Sequence, residues 1–294
     1  MKSGFVAILG RPNVGKSTII NNIINHKVSI VTEKSQTTRN NIIGIYNGID
    51  CQIVFVDTPG IHKPLKQLGV EMNNMAYSAA HDVDVAVLVV DASKPFGQGD
   101  QYIIDHLDIH HHPLIIVFNK IDLARLDKAE ALKQHYLSLF PQAVIVDTVA
   151  KEKFNIDLLI QKVVELLPEG PAYYPTDMIT DKDEIFQIKE IIREKILKAL
   201  QEEVPHSIAI YIDHIDWEDK PMKIFASIIV EKESQKGIVI GAHGRMIKEI
   251  GSKARLDIEK LLKTHVYLEL QVKVDEGWCD EPMSLRAYGY KYEK

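Results

Sequence analysis

Five short, uninterrupted apolar runs, rich in valine and isoleucine, constrain the first half of this chain more than any other feature. They are residues 5–9 (FVAIL), 51–56 (CQIVFV), 85–90 (VAVLVV), 114–118 (LIIVF) and 143–146 (AVIV). A strand with one wet face alternates apolar and polar residues; runs that stay apolar belong to a parallel sheet covered on both faces. The longer mixed or helical patterns between them supply the crossovers that parallel neighbours need. The expected fold of this half is a doubly wound α/β domain.

Three loops at the ends of these runs carry chemistry. Residues 10–18, GRPNVGKST, follow the first run and lead into the helix-forming STIINNII, so Gly10, Gly15, Lys16 and Ser17 satisfy G-x-x-x-x-G-K-[ST] in a strand–loop–helix setting. Backbone N–H groups there wrap phosphates, Lys16 neutralises their charge, and Ser17 offers a hydroxyl to Mg²⁺. This loop alone indicates only a nucleoside triphosphatase. At the end of the second run stands DTPG, Asp57 to Gly60. A carboxylate there can hold a magnesium-bound water, and the Gly60 N–H can sense a γ-phosphate. After run 114–118 stands NKID, Asn119 to Asp122. Guanine presents two N–H donors on one edge, which the Asp122 carboxylate accepts and adenine cannot offer; a site built for such a pair rejects the wrong base by about 10⁴ or more. The expected nucleotide is GTP.

The helical pattern from Asn155 to Leu167 ends at Pro168, and PEGPAYYPTD follows, three prolines and a glycine between two patterned regions. The expected division is a first domain over 1–168, a linker over 169–180 and a second domain over 181–294. In the second domain Ile185, Ile188, Ile191, Ile192, Ile196, Leu197 and Leu200 recur at helical spacing. Strand-like runs follow at about 207–215 and 222–230, then a glycine loop, a helical pattern to Lys263 and the alternating strand VYLELQVKV. This half reads as α+β. Residues 237–241, GIVIG, read as a strand by composition, although short apolar runs are ambiguous between strand and helix.

The second glycine loop, Gly241-Ala242-His243-Gly244, has no following Ser/Thr, no magnesium carboxylate and no base-selecting motif. It suits a polymer backbone better than a second triphosphate. The net charge of −6 argues against a bulk polyanion binder, so a nucleic-acid site must be local. From Lys236 to Lys263 seven Lys/Arg face three acidic residues, a local balance of +4.

A length of 294 residues suggests about two domains, and 46% hydrophobic with 26% charged residues is the composition of a soluble globular protein. No apolar stretch approaches the ~20 residues of a membrane span. The N-terminus runs straight into the first motif, leaving no room for a signal peptide, so the expected location is the cytosol. Cys51 and Cys279 lack the spacing of a disulfide framework or zinc site. The HHHP cluster at 110–113 reads as a solvated loop.

GRPNVGKST, QTTR (residues 36–39) and DTPG in this order resemble the TrmE–Era branch of translation-factor-related GTPases. G-x-x-G between two helices, in an α-β-β-α-α-β order, resembles a type II KH domain, which would make GIVIG a short helix. With the closing segment EGWCDEPMSLRAYGY, the chain resembles the Era family over essentially its whole length. The resemblance implies an α/β P-loop GTPase domain followed by an α+β KH domain, with GTP/GDP and Mg²⁺ as ligands. It places the nucleotide on Gly10, Arg11, Pro12, Asn13, Val14, Gly15, Lys16, Ser17, Thr18, Asp57, Thr58, Pro59, Gly60, Ile61, Asn119, Lys120, Asp122 and the Ala150 N–H. Magnesium falls to Ser17, Asp57 and Thr38, with Thr37 as the alternative to Thr38; Lys16, Thr38 and Gly60 are the residues expected to act in hydrolysis. Asn13 matches an asparagine that helps hold K⁺ in several family members.

For the second domain the resemblance implies a loop that clamps about four nucleotides of single-stranded RNA, here Gly241, Ala242, His243, Gly244 and Arg245 with Lys248, Lys253 and Arg255. The implied partner is the single-stranded 3′ end of small-subunit rRNA, and the implied role a checkpoint in small-subunit assembly, with the linker passing the nucleotide state to the RNA surface. Family members are also found peripherally on the inner face of the cytoplasmic membrane, but no amphipathic anchor is evident here. Three departures stand out. Ile61 replaces the water-orienting glutamine of small signalling GTPases, which implies slow unassisted turnover. The fifth motif, usually Ser-Ala, is TVAK at 148–151. The KH loop carries Ala242 and His243 where many have a lysine or arginine. Two other readings use the same residues: a constitutive RNA-binding chaperone in which GTP only supports the fold, and a GTPase whose KH-like domain docks on a protein or membrane.

Overall fold

The computed structural model describes residues 1–34, 36–107, 111–200 and 207–291. Among them, the apolar runs become β1 (Lys2–Leu9), β3 (Cys51–Asp57), β4 (Val85–Asp91), β5 (Leu114–Asn119) and β6 (Val144–Thr148). They join β2 (Ile42–Gly48) in a sheet of order β2-β3-β1-β4-β5-β6, parallel except for β2, which pairs antiparallel with β3. β2 is outside the apolar runs because it is an edge strand: IIGIYNG ends in half-buried polar and glycine residues.

Helices α1 (Lys16–Ile24) and α5 (Ile156–Leu166) cover one face of the sheet through Ile19, Ile20, Ile23, Leu159 and Val163. Helices α2 (Gln67–His81), α3 (Gln98–His106) and α4 (Leu126–Leu139) cover the other through Ala76, Ala80, Ile103, Leu132 and Tyr136. Each fully buried valine, leucine or isoleucine contributes about 1.5–3 kcal/mol, so both faces must be covered. Strands this apolar have no wet alternative. The phosphate loop, DTPG and NKID all leave C-terminal strand ends and meet along one rim, where open α/β sheets bind ligands.

Residues 169–180, expected as a linker, are laced to the first domain. The Ile45 N–H donates to Ile179 O (2.9 Å) and the Gly170 N–H to Met1 O (2.9 Å). Gln52 accepts from the Tyr173 and Tyr174 N–H groups and donates to Tyr174 O. This segment covers the open edge of β2, which would otherwise present unpaired backbone groups.

The second domain contains α6 (Glu184–Ala199), β7 (Ala209–Asp216), β8 (Met222–Val230), α7 (Glu233–Ile240), α8 (Arg245–Leu262), β9 (Val266–Val274) and α9 (Pro282–Ala287). The sheet order is β7-β8-β9, antiparallel then parallel. Asp183 caps α6 through the Phe186 N–H (2.7 Å). GIVIG is helical up to Ile240: the Gln235 side chain accepts from the Glu231 and Lys232 N–H groups and starts the helix, and of the run only Val239 is buried. His110 lies outside the described residues; His111 is exposed in a turn before β5. Both cysteines are buried and unpaired, and no described helix is long and apolar enough to cross a membrane.

A further apolar core joins the domains. Leu68 and Met72 of α2 pack with Ala209, Ile229, Trp278, Cys279, Leu285 and Tyr290. Trp278 has no exposed surface and its Nε1–H donates to Ser207 O (3.1 Å). The Gln67 N–H, at the start of α2, donates to Asp280 Oδ1 (2.9 Å), and the Leu68 N–H to Cys279 O (2.8 Å). Residues 279 and 280 thus cap the helix that follows DTPG. Trp278→Ala should cost about 3–5 kcal/mol, the usual penalty for deleting a buried aromatic side chain, read as a lower denaturant midpoint at constant m-value.

Candidate functional site: a nucleotide cleft and an RNA-facing loop

Helix α1 begins at Lys16, so Lys16 and Ser17 occupy its first turn, where unpaired N–H groups and the positive dipole end gather. Lys16 Nζ donates to Gly10 O (3.0 Å) and Arg11 O (2.9 Å), which holds the ammonium across the loop. Burial pulls its pKa down to about 8, against the pull of nearby Asp57. Ser17 Oγ lies 2.7 Å from Asp57 Oδ2 and 2.9 Å from Thr38 Oγ1. Asp57 is fully buried; burial pushes its carboxyl pKa up, opposed by Ser17 and Lys16. Among the described residues its Oδ1 has no hydrogen-bond partner. Two hydroxyls and a carboxylate with an orphaned oxygen form an oxygen donor set of the kind Mg²⁺ takes. The Thr37 hydroxyl is engaged elsewhere, with Thr32 Oγ1 (2.7 Å) and Lys34 O (2.6 Å).

Residues 36–39 are anchored one by one to different parts of the molecule. Gln36 Nε2 donates to His62 Nε2 (2.9 Å), and His62 Nδ1–H donates to Gly60 O (3.0 Å). Thr37 O accepts from Arg193 Nη2 of α6. Thr38 faces Ser17 and Asp57. Arg39, fully buried, donates through Nη1 to Ile208 O and stacks over the Tyr290 ring at 5.4 Å. Gly60 lies so close to the phosphate loop that a Cβ there would meet Pro12 Cα at 2.7 Å. A larger residue would push the two loops apart.

A cleft of about 790 Å³ opens above these groups. Pro12, Asn13, Gly15 to Thr18, Thr38, Gly60, Asn119, Lys120, Asp122 and Ala150 line it. Asn119 ties its far end together: Nδ2 donates to Val14 O (2.8 Å), while Oδ1 accepts from Thr148 Oγ1 (3.1 Å) and the Ala150 N–H (2.9 Å). Lys120 Nζ bridges Asn13 O (2.8 Å) and Asp91 Oδ2 (2.7 Å). Asp122 is exposed at the mouth. Asn13 Nδ2 donates to Glu33 O (2.8 Å), which leaves its Oδ1 as acceptor.

Four residues expected at the nucleotide act differently. Arg11 points away, pairing with Asp100 Oδ2 (2.9 Å), and contributes its carbonyl to Lys16. Thr58 is buried and donates to Ile8 O (2.7 Å). Ile61 is fully buried in the core under α2, with its N–H on Gly10 O (3.1 Å). The Ala150 N–H is given to Asn119 rather than to open space. All four brace the loops. Motif reading does not reach Asp91, whose carboxyl burial would raise but Lys120 and Ser93 hold below its usual range. Nor does it reach Leu197 and Lys198 of α6, which close one wall of the cleft. A strand-end DxSK offers a weak signal for Asp91; the α6 pair has no local signal, because it comes from the other domain.

In the second domain Gly241, Ala242, His243 and Gly244 form the loop between α7 and α8, with Ala242 and His243 exposed. A Cβ on Gly241 would meet Met246 Cβ at 2.6 Å, whereas one on Gly244 would meet nothing within 4 Å. Ile250, Ala254 and Ile258 bury one face of α8. At 100° per residue Arg245, Lys248 and Arg255 share one flank of the opposite face. Lys253 falls on the other flank, paired with Glu249 Oε1 (2.6 Å).

A phosphate loop, a hydroxyl–carboxylate cluster and a base-selecting strand end, joined to a G-x-x-G helix pair on a three-stranded sheet, define a P-loop GTPase coupled to a KH domain. A family model described as a 50S ribosome-binding GTPase matches residues 5–120, and a KH-domain model matches residues 203–279. The chain belongs to the Era family of GTPases: GTPase Era of Leuconostoc citreum (strain KM20) is 48% identical over 99% of this chain and 97% of its own. Two solved structures match with a TM-score of 0.93 and 39% identity, each covering 99% of this chain and 100% of its own. One is Era in complex with MgGDPNP and nucleotides 1506–1542 of 16S ribosomal RNA; the other is an Aquifex aeolicus Era variant bound to GDP·AlF4⁻.

Asp122→Asn replaces one acceptor oxygen with a donor and leaves one guanine N–H unmatched. GTP affinity should fall by at least about 10²-fold, while xanthosine triphosphate, with an oxygen where guanine has its amine, should bind better than GTP in competition titrations.

Proposed function

We infer that this protein is a GTP-binding and GTP-hydrolysing switch whose KH domain holds the single-stranded 3′ end of small-subunit (16S) rRNA, and that it acts as a checkpoint in assembly of the small ribosomal subunit. One observation carries the reading: the QTTR segment reaches the nucleotide cleft through Thr38 and the KH half through Thr37 O and Arg39. A segment that senses a γ-phosphate therefore also belongs to the domain interface. The solved Era bound to both a GTP analogue and 16S rRNA nucleotides supports the same pairing of ligands.

In this reading the backbone of residues 10–18 cradles the phosphates and Lys16 neutralises them. Asp122 accepts from the guanine edge, and Asn119 holds the base-side loops together. Ser17, Thr38 and Asp57 would hold Mg²⁺, which supplies charge neutralisation on the phosphate oxygens when bound. The Gly60 N–H would donate to the γ-phosphate, and Asn13 Oδ1 would be the acceptor for a K⁺ ion. Ile61 lies in the core and His62 is shared between Gln36 and Gly60, so neither is set to activate the attacking water. Unassisted turnover is slow. GTP orders residues 36–39 and 60–62, hydrolysis releases them, and the change reaches the second domain through Thr37, Arg39 and residues 278–280. Contact with the cytoplasmic membrane, in this reading, is peripheral.

On the RNA side, Gly241 to Gly244 present backbone to phosphate, with Arg245, Lys248 and Arg255 as the cationic flank and Lys253 as a minor contributor. The test is GTP turnover by the full chain at fixed salt, with and without a single-stranded RNA copied from the 3′ end of small-subunit rRNA. RNA should raise turnover. Gly244→Asp, which adds an anion in open space but at a left-handed position (φ 73°) that strains the loop backbone, should abolish that response and leave basal turnover intact. RNA affinity should also fall steeply with salt. RNA that binds equally with GTP and GDP and leaves turnover unchanged would favour a constitutive chaperone; absence of salt-sensitive RNA binding would favour docking on a protein or membrane. Replacing K⁺ by Na⁺ should slow turnover, and turnover indifferent to the ion would remove Asn13 from the cation site.

A further inference from the structure

We propose that the KH domain supplies part of the GTPase site itself, with Arg193 of α6 as the positioning residue that sets Thr38. This rests on the GTPase reading above. The Arg193 side chain is 1% exposed, although it lies between two domains. Glu190, one turn earlier on α6, grips it in a fork: Arg193 Nε donates to Glu190 Oε1 (2.7 Å) and Nη2 to Glu190 Oε2 (2.5 Å). That grip fixes the guanidinium plane, and the second Nη2 hydrogen reaches Thr37 O across the domain boundary. Planar, multivalent donation of this kind is a property of arginine and not of lysine.

The carbonyl of Thr37 belongs to the peptide group that continues into Thr38. Holding that carbonyl restricts the rotation of the plane and so the direction of the Thr38 side chain, whose hydroxyl must stay near Ser17 and Asp57. Gln36 before it is in the left-handed region (φ 57°) and is tied to His62. Arg39 after it is sunk into the second domain. Arg193 grips this segment by its backbone; the Arg39 link to the second domain runs through a side chain. The same helix closes a wall of the cleft with Leu197 and Lys198, one turn further along. Helix α6 is thus a structural element of the nucleotide site, contributed by the domain that carries the RNA loop.

Thr38 matters when a γ-phosphate is present, so Arg193 should matter for GTP and not for GDP. The experiment uses full-length Arg193→Gln, measuring kcat, KM and the affinities for GDP and a non-hydrolysable GTP analogue. The preference for the analogue over GDP, and kcat with it, should fall about tenfold, within the usual range for coupled sites. GDP affinity should stay within about twofold of the wild type. Arg193→Lys keeps a charge beside Glu190 but not the fork, and should give intermediate turnover; it decides the matter if the glutamine variant does not fold. Lys195→Met, on the same helix as Arg193, removes ion pairs with Asp257 of α8 and with Glu194, away from residues 36–39, and should leave the preference unchanged. Wild-type values for both Arg193 variants, a parallel loss of GDP affinity, or an equal effect of Lys195→Met would overturn the assignment of Arg193 alone. Wild-type protein that fails to turn over GTP would instead overturn the GTPase reading beneath it.

Discussion

A carboxylate with no exposed surface, Asp57, sits where β3 ends, and much of the molecule is arranged around the cost of burying it. One oxygen is satisfied by Ser17 and approached by Thr38; among the described residues the other has no hydrogen-bond partner. A buried charge with an open coordination position is expensive unless a cation completes it. Lys16 has the complementary problem, being buried with backbone carbonyls as its hydrogen-bond partners. The two groups are therefore better satisfied by a metal–polyphosphate than by the protein alone. Ligand affinity here follows from incomplete charge compensation on a rigid sheet, with Gly60 and Pro12 holding the loops together.

The strain of that arrangement is shared by the second domain. Residues 36–39 have little secondary structure of their own, and their conformation is defined by contacts to His62, Arg193, Asp57 and Ile208. Such a segment cannot move at one anchor without loading the others. Helix α2, just after DTPG, is similarly held by Asp280 and Cys279, and Lys66 at its start pairs with Glu231 Oε2 (2.5 Å). The QTTR segment is therefore in direct touch with the KH half, and the DTPG loop reaches it through the start of α2. The segment 169–180 is bonded to the first domain's own strands and is a poor carrier of the signal by comparison.

Much of this was legible in the sequence, and the limits have physical causes. Inner strands announce themselves because both faces are dry, as in CQIVFV; β2 does not, because an edge strand needs only one buried face. Lys16, Ser17, Asp57, Asn119 and Asp122 can be found by spacing because phosphate, magnesium and guanine each impose a fixed geometry on short local segments. Arg193, Leu197 and Lys198 cannot, since they reach the cleft only through the docking of one domain on another. The side-chain directions of Ile61 and Arg11 are not legible for a related reason: motif membership locates a backbone, while the direction of a side chain depends on what lies behind the loop. GIVIG resisted composition because its fate as helix or strand is settled by the Gln235 cap outside the run.

The apolar core around Trp278 gives the two-domain description a different meaning. Leu68 and Met72 belong to a core shared with the second domain, where Trp278, Leu285 and Tyr290 pack with them. Separating the halves would uncover Leu68 and Met72 on one side and the part of the Trp278 cluster that faces them on the other. Measured by what it seals from solvent, the finished globule is the whole chain. A cut between the two folds would yield two adhesive fragments, each seeking the surface it had lost.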